Sequence, residues 1–404
     1  FGKKILIGVS GSIAAYKIPE IVRLFIKNGA EVKVILTPDA VSFVTPLTLS
    51  TLSRNSITID LVDSINSQWN NHVDLSLWAD IFLIAPATAN TISKMANGIC
   101  DNMLLATFLS SKCPVFCVPA MDRDMYLNRA TLKNIDVLRK RSIHVLDVED
   151  GELASGIYGL GRMHDIQKIF HEIEFFFSKL MPLFGQKILV TAGPTYERLD
   201  PVRFIGNFSS GKMGCALAKS AAQLGANVDL VLGPSTEEVT HPLINKVSIQ
   251  SANEMLIACE EHFKKCDIAI FAAAVSDFKP KSFSRKKIKN KDVIIQTVKN
   301  KDIIKLLASK KKKHQFVVGF ALETHNQEKN AIQKMIDKKM DLIILNSLHS
   351  QNPCFNSQKN QITIIDQSQS IKKYPLMEKS QVAKIILDEI IFKKSYESSI
   401  KKIL

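Results

Sequence analysis

Each half of the chain opens on the same local pattern, and that pattern leaves few folds open. Near the start, Lys3-Lys-Ile-Leu-Ile-Gly-Val-Ser-Gly-Ser-Ile-Ala-Ala is an apolar run that meets a Gly/Ser turn and passes into a helical pattern reaching Asn28. Gly29 stands where a helix C-terminal cap belongs, and residues 31–36 read as the next strand. Strand, helix and strand in that order predict a crossover between parallel strands. Further strands are predicted at 81–85, 115–118 and 144–146, with helices at 88–95 and 103–109 between them. After a helical stretch at 166–180, Pro182 and Gly185 break the chain. The pattern then restarts with Gln186-Lys-Ile-Leu-Val-Thr-Ala-Gly-Pro. A long loop runs to Asn207, a helix covers 212–224, Gly225 caps it, and 227–232 is a strand. Later strands fall at 268–273, 316–320, 341–345 and 361–365. The alternation predicts two α/β domains, 1–180 and 186–404, each a mainly parallel sheet flanked by helices. A chain of 404 residues is long enough for both.

Composition narrows the function. The longest apolar runs, such as 268–275, fall far short of the roughly 20 residues a membrane span needs. No secretory h-region precedes the first strand, so a cytoplasmic location is expected. The chain opens on Phe1 rather than Met, which places the natural start slightly upstream. Seven scattered cysteines, without a CxxC pair, suit neither a disulfide framework nor a zinc site; Cys113 and Cys117 have no matching pair elsewhere. The net charge of +14 suggests anionic partners. Only 10 of the 53 basic residues are Arg, the residue that reads base edges, and the Lys are strewn throughout. Anionic small ligands are therefore expected, and nucleic acid is not.

Five segments of the first half carry chemistry. Gly8-Val-Ser-Gly11-Ser12-Ile13-Ala14 offers free N–H groups and the positive end of a helix to a phosphate, or is a turn that merely packs helix on sheet. Its spacing is not G-x-G-x-x-G, and Thr37-Pro38 stands where a dinucleotide site would keep a ribose acid, which leaves room for a mononucleotide. His72 follows a polar stretch and precedes a helix, as a surface residue or a general base. Ala85-Pro86-Ala87-Thr88-Ala89-Asn90 is small enough to admit a flat ring, with Thr88 either bonding it or only capping a helix. Pro119-Ala-Met-Asp-Arg-Asp-Met-Tyr126 follows, then a glycine-rich stretch at 151–163 around Ala154 and Ser155, a mobile flap or a plain hairpin loop.

In this order the five segments resemble the flavin-containing cysteine decarboxylases, specifically the phosphopantothenoylcysteine decarboxylases, over residues 1–175. The resemblance implies FMN held by Gly11, Ser12, Ile13, Thr37, Pro38, Pro86, Ala87, Thr88 and Asn90. It implies a catalytic base at His72 and substrate contacts from Asp122, Met125, Ala154, Gly156 and Arg162. It also implies the chemistry. A carboxylate beside an unactivated CH₂SH cannot leave as CO₂, so the flavin first withdraws electrons from the thiol and afterwards returns them. Two departures matter. Asp122 stands where the family has Asn, and an ionised Asp would repel the substrate carboxylate unless protonated, displaced or paired with a cation. Ser155 stands where the family has its proton-donating Cys, a far stronger acid, so Ser155 or a bound water serves, or the step stops at the ene-thiol. Tyr126 replaces a Trp.

In the second half, Gly206-Asn-Phe-Ser-Ser-Gly211-Lys212-Met213 nearly spells a P-loop. It ends on Met213, which has no hydroxyl for Mg²⁺, and comes too long after its strand, so a Walker ATPase is rejected. With residues 193–207, 272–277, Lys287, 318–324, Lys338 and Asn346, it resembles the phosphopantothenate–cysteine ligases over 186–390. That resemblance implies CTP and an acyl-cytidylate intermediate that cysteine's amine resolves. Asn207 would act on the acyl-cytidylate, Asp277 would read the cytosine and Lys287 would meet the triphosphate. Phe271, Ala272, Ala273, Lys301, Asp302, Ile303, Ile304, Phe320, Lys334 and Lys338 match the remaining nucleotide positions. Lys334 and Lys338, four apart, would on their own be a solvated helix face.

The two resemblances together imply two Rossmann-like domains, a flavoprotein domain and then a ligase domain, as in the bifunctional enzymes of coenzyme A biosynthesis. Substrates would be 4′-phosphopantothenate, cysteine and CTP with Mg²⁺, and the assembly would build from trimers, possibly to a dodecamer. A working ligase tethered to a flavin domain that is inactive or stops at the ene-thiol is the alternative. A peptide-directed flavin decarboxylase shares the first fold but leaves the ligase half unexplained.

Overall fold

The computed structural model describes residues 2–63, 68–289, 294–323, 325–347 and 357–403. Thr324 and Cys354 lie outside the described residues. The chain divides into two compact units, Phe1–Phe176 and Phe177–Leu404.

In the first unit six strands form one sheet, in the spatial order Ile57–Thr58, Glu31–Leu36, Lys4–Val9, Ile81–Ala87, Val115–Pro119 and His144–Val145. Every pairing is parallel. Such a sheet is covered on both faces, which requires continuous apolar strands rather than alternating ones. Ile81–Ala87 is buried at every residue. Helix Ile18–Lys27 carries Pro in its first turn and Lys27 in its last, matching the helix dipole at that end, and buries Ile18, Ile21, Val22 and Phe25 as one stripe. Phe82, Ile92, Met95 and Leu104 share a core cluster on the sheet. Phe82 is fully buried, so truncation to Ala would cost about 3–5 kcal/mol. An antiparallel hairpin, Glu149–Glu152 with Tyr158–Arg162, stands apart from the sheet.

In the second unit eight strands run Ile244–Ser248, Asn227–Leu232, Lys187–Ala192, Ile268–Phe271, Phe316–Glu323, Leu342–Ser347, Ile362–Asp366 and Ile371–Lys373. The first six are parallel and the last two antiparallel. Helix Lys212–Gln223 presses so closely on the strand Lys187–Ala192 that a Cβ on Gly214 would lie 2.4 Å from the Ala192 Cβ. Its Met213 packs against the core cluster of this unit.

Both strand orders reverse direction beside their first strand. In open α/β sheets the crevice at that switch point, outside the carboxyl ends of the strands, is where ligands bind. In the first unit it is bounded by the chain after Val9 and after Ala87; in the second, by the chain after Ala192 and after Phe271.

Candidate functional site

At the first switch point, two loops distant in sequence are tied by Ser10. Its hydroxyl donates to the Pro86 carbonyl at 2.6 Å and accepts from the Thr88 N–H at 3.0 Å. The Ala85–Pro86 bond is cis. Gly11 lies so near the next loop that a Cβ would come within 2.6 Å of the Asp39 Cβ. Ser12 caps the short 3-10 helix Ile13–Lys17 by accepting from the Ala14 N–H at 3.3 Å. Thr88 caps helix Ala89–Asn97 by accepting from the Thr91 N–H, so the structure gives its hydroxyl that role. Ser10, Gly11, Thr37, Pro38, Thr88, Asn90 and Met125 line one cavity of about 470 Å³. Thr37 is buried in its wall, and its Oγ1 has no hydrogen-bond partner. A buried hydroxyl left unpaired costs free energy that a bound polar ligand would recover.

The neighbouring cleft, about 580 Å³, begins one residue further on. Ser12, Ile13, Lys17, Asp122, Ala154, Ser155 and Arg162 are among its lining residues. Three sequence-predicted substrate residues, Asp122, Ala154 and Arg162, and the predicted proton donor Ser155 thus meet two of the predicted flavin residues, while Gly156 is not among the lining residues. The hairpin that carries Ser155 is seated by glycine. Gly161 has φ +143°, its carbonyl accepts from the Met121 N–H at 3.1 Å, and a Cβ there would lie 2.3 Å from the Met121 carbonyl oxygen. The hairpin therefore rests on the backbone beside Asp122. Replacing Gly161 with Ala must lift it by more than a rotamer change, and misplacement by about 1 Å can cost about 10²-fold. We expect Gly161→Ala to lower the activity of this cleft about 10²-fold and to leave that of the second unit unchanged, measured in separate assays of the two units.

The cleft also holds two charged residues that the sequence reading missed, Lys17 and Glu152, which line it together with the predicted Arg162 and Asp122. Burial, and then Arg162, hold the Lys17 ammonium below its ordinary pKa, against the opposing pull of Glu149, Asp165 and Glu20. Two cations, Lys17 and Arg162, thus face the same cleft as Asp122.

His72 begins helix His72–Trp78, which Asn71 caps by accepting from the Val73 and Asp74 N–H groups at 3.0 and 3.3 Å. Its ring stands edge-on to Trp69, with centroids 5.7 Å apart. Its Nδ1 is buried without a partner. Neither cavity counts His72 among its lining residues, so the chain alone does not bring it to the predicted flavin residues.

The second crevice is knit from both strands of its switch point. Thr191 Oγ1 accepts from the Ala273 N–H at 3.2 Å, and the buried Thr195 accepts from the Ser276 N–H at 2.9 Å. The crevice opens on a cavity of about 170 Å³ lined by Ser210, Gly211, Lys212, Ala272, Ala273, Phe320, Asn346, Asn360 and Lys379, among others. Gly211 is left-handed at φ +80° and begins helix Lys212–Gln223, aiming its free N–H groups at the cavity. Asn207 lies beside it, its Nδ2 donating to the Val275 carbonyl at 2.8 Å.

The other predicted nucleotide residues do not line this cavity. Asp277 is exposed, its carbonyl accepting from the Asn300 N–H at 2.8 Å. Lys287 is exposed on a loop pinned by Asp200, whose Oδ2 accepts from the Ile288 N–H at 3.1 Å. Asp302 caps helix Ile303–Ala308 and pairs with Lys338 at 3.0 Å. Burial alone would raise the Asp302 carboxyl; the Lys305 N–H and the Lys338 ammonium outweigh it and hold the carboxyl below its usual range. Lys334 pairs with Glu323 at 2.5 Å. Phe271 and Ile303 are buried, Ile304 half-buried and Lys301 exposed. Lys17, Asn360 and Lys379 had no motif to announce them, and Ser10, Thr191 and Thr195 lay inside motif segments that gave them no role. Their neighbours in space lie far away in the chain.

Comparison with known proteins gives both units a family. The flavoprotein family matches residues 2–178, and the C-terminal domain family of DNA/pantothenate metabolism flavoproteins matches residues 183–393. A cysteine/cysteine sulfinic acid decarboxylase from an unknown prokaryotic organism is 49% identical over 354 residues, 86% of this chain and 99% of that protein. The coenzyme A biosynthesis bifunctional protein CoaBC of Vibrio vulnificus (strain CMCP6) is 41% identical over 393 residues, 96% of this chain and 97% of that protein. The protein of the same name from Bacillus subtilis (strain 168) is 40% identical over 392 residues, 96% of each.

Proposed function

Because the chain belongs to the family of bifunctional coenzyme A biosynthesis proteins, we propose that it converts 4′-phosphopantothenate to 4′-phosphopantetheine in two steps. The second unit joins the pantothenate carboxylate to cysteine, using CTP and Mg²⁺. The first unit binds FMN and decarboxylates the product. The observation that carries this reading is the convergence of motif residues on the two switch-point crevices of one chain.

The first crevice fits a flavin mononucleotide. The Gly11–Ser12 turn and Asn90 surround an unpaired buried Thr37 hydroxyl, and no acid occupies the end of the second strand. When bound, FMN would take an electron pair from the substrate thiol and return it once CO₂ has left. His72 accepts the thiol proton. Lys17 and Arg162 offset Asp122 and hold the substrate carboxylate in the cleft. Ser155, or a water it holds, returns a proton at the end. His72 reaches this cleft in an assembly of flavin units, built from trimers. Ile13, Tyr16 and Met125, apolar residues more than half exposed around the cavities, are the surface such an assembly would cover.

In the second crevice a triphosphate and a phosphorylated substrate bring together about six negative charges, which Mg²⁺ and preorganised N–H donors and ammonium groups neutralise. The start of helix Lys212–Gln223 takes phosphate, Asp277 the cytosine, Lys287 the triphosphate, and Lys301, Phe320, Lys334 and Lys338 complete the nucleotide site. Among the described residues no helix is long and apolar enough to cross a membrane, which suits an enzyme of small cytoplasmic substrates.

The test is to incubate the purified protein with 4′-phosphopantothenate, cysteine, CTP and Mg²⁺ and weigh the products. 4′-Phosphopantetheine is expected. A product that stops at phosphopantothenoylcysteine would sink the flavin half of the proposal. One that stops at the ene-thiol would place the fault at Ser155, with Ser155→Cys as the rescue. The 49% identical relative named for free cysteine motivates a second arm. Loss of CO₂ from cysteine or cysteine sulfinate, without CTP, would assign the flavin unit those substrates instead.

A further inference from the structure

The cavity of the second unit contains a polar pair, the motif residue Asn346 and Asn360, to which the proposed reaction gives no role. Asn360 is only 2% exposed, in the two-residue strand Lys359–Asn360, which pairs with Met377–Glu378. Its Nδ2 donates to Asn346 Oδ1 at 3.1 Å. Asn346 sits near the end of the parallel strand Leu342–Ser347, in register with Leu322 of its neighbour. Both amides line the cavity, across from the start of helix Lys212–Gln223. The Oδ1 of Asn360 is buried and accepts no hydrogen bond.

A buried amide oxygen without a donor is rare in folded proteins, because its desolvation is not repaid. Here the oxygen belongs to a cavity wall rather than to packed core. The bond between the amides also fixes their orientation. The bond to Asn346 Oδ1 turns the Asn360 amide so that its own oxygen is the unmet acceptor, beside the N–H groups of Asn346. A hydroxyl meets both, donating to the Asn360 oxygen while accepting from an N–H. A phosphate is a poor match for Asn360 Oδ1, since at neutral pH a phosphomonoester is mostly the dianion.

We propose that Asn360, oriented by its bond to Asn346, is a binding residue for a hydroxyl group of a bound ligase substrate. The identity of the substrates rests on the function proposed above; two of them carry hydroxyls, the ribose of CTP and the pantoyl group of phosphopantothenate. Cysteine carries none. A site built to bond a hydroxyl rejects an analogue that lacks it, because the amide is then left unpaired.

The experiment uses the full chain and titrates CTP and phosphopantothenate separately into wild type and Asn360→Ala by calorimetry, alongside ligation kinetics. Affinity for one of the two should fall about tenfold, with the KM for cysteine unchanged. Wild type should lose a similar factor on the matching deoxy analogue: 2′-deoxy-CTP or 3′-deoxy-CTP if the ribose is bound, a pantoyl-deoxy phosphopantothenate if the pantoyl group is. Asn360→Ala should no longer distinguish analogue from parent. An unchanged KM for cysteine and an unchanged thermal melt of the full chain report that the second unit of the variant is folded. Should Asn360→Ala not fold, the analogue series on wild type decides alone. Equal affinities for parent and deoxy analogues, or an equal loss for all three substrates, would overturn the proposal. Absence of any ligation by wild type would instead count against the reaction assigned to this unit, and the titrations would still read the subsite.

Discussion

His72→Asn should cut decarboxylation about 10³-fold while the purified protein stays yellow. A positioned general base contributes about 10²–10⁴-fold, and Asn offers similar bulk without a basic nitrogen. The structure makes this substitution a clean one. Helix His72–Trp78 is capped by Asn71, so its start does not depend on the imidazole. The Nδ1 of His72 has no hydrogen-bond partner among the described residues, so no such bond to that atom is lost. A structural role would reveal itself as flavin loss or a lowered Tm; a catalytic one shows in the rate of CO₂ release alone. Retention of more than a tenth of the wild-type rate would remove His72 from the mechanism. The same experiment tests assembly. If His72 serves a neighbouring copy, mixing His72→Asn subunits with subunits crippled at Gly161 should restore part of the activity, since some sites would then hold one intact set.

What could be read from the sequence follows from how local each signal is. The strands at 31–36 and 227–232 fall where they were expected, because a glycine closes the preceding helix and a β-branched run follows. The hairpin Tyr196–Arg198 with Phe204–Gly206 lies where only a loop was expected, and the pair Phe278–Pro280 with Thr297–Lys299 lies where no element was assigned. Three residues per strand is too short for a period of two to stand out. Helix Ala252–Phe263 also went unread, although Ser251 caps it and Met255, Leu256, Cys259 and Phe263 form its buried stripe. The 151–163 stretch was open between flap and hairpin; a paired hairpin forms there, resting on the backbone of Met121. Site residues divide in the same way. Gly11, Ser12 and Thr37 belong to turns that advertise themselves. Ser10 matters because it bonds Pro86 and Thr88, residues more than 70 positions away, and Thr195 because it bonds Ser276, 81 positions away. Asn360 gains its interest from Asn346 and from burial, neither of which a spacing reveals. Lys334 and Lys338 are the converse case. The spacing that suggested a solvated face or a nucleotide contact resolves into ion pairs with Glu323 and Asp302, which any bound triphosphate must compete with or extend.

Asn207→Asp should lower ligation at least about 10²-fold and leave decarboxylation of supplied phosphopantothenoylcysteine intact. The Asn207 amide is tethered by its Nδ2 to the Val275 carbonyl, directly after the three alanines that follow the central strand Ile268–Phe271. That bond leaves the amide oxygen and the second N–H to act on a substrate at the mouth of the crevice. Aspartate keeps the shape but reverses the tether, because a carboxylate oxygen facing a carbonyl oxygen repels it. It also adds negative charge to a site that must gather about six, where preorganised donors stabilise the charge that develops in transfer. Losing one such donor is worth about 10²–10³-fold in rate. The two half-reactions separate the possible roles. If Asn207 acts on the acyl-cytidylate after it forms, pyrophosphate should still be released in a first turnover while CMP is not. If both products stop together, the residue serves nucleotide binding or the first displacement instead. Equal rates in wild type and variant would show that the tether to Val275 is all that Asn207 contributes, and that the crevice finds its reacting group elsewhere.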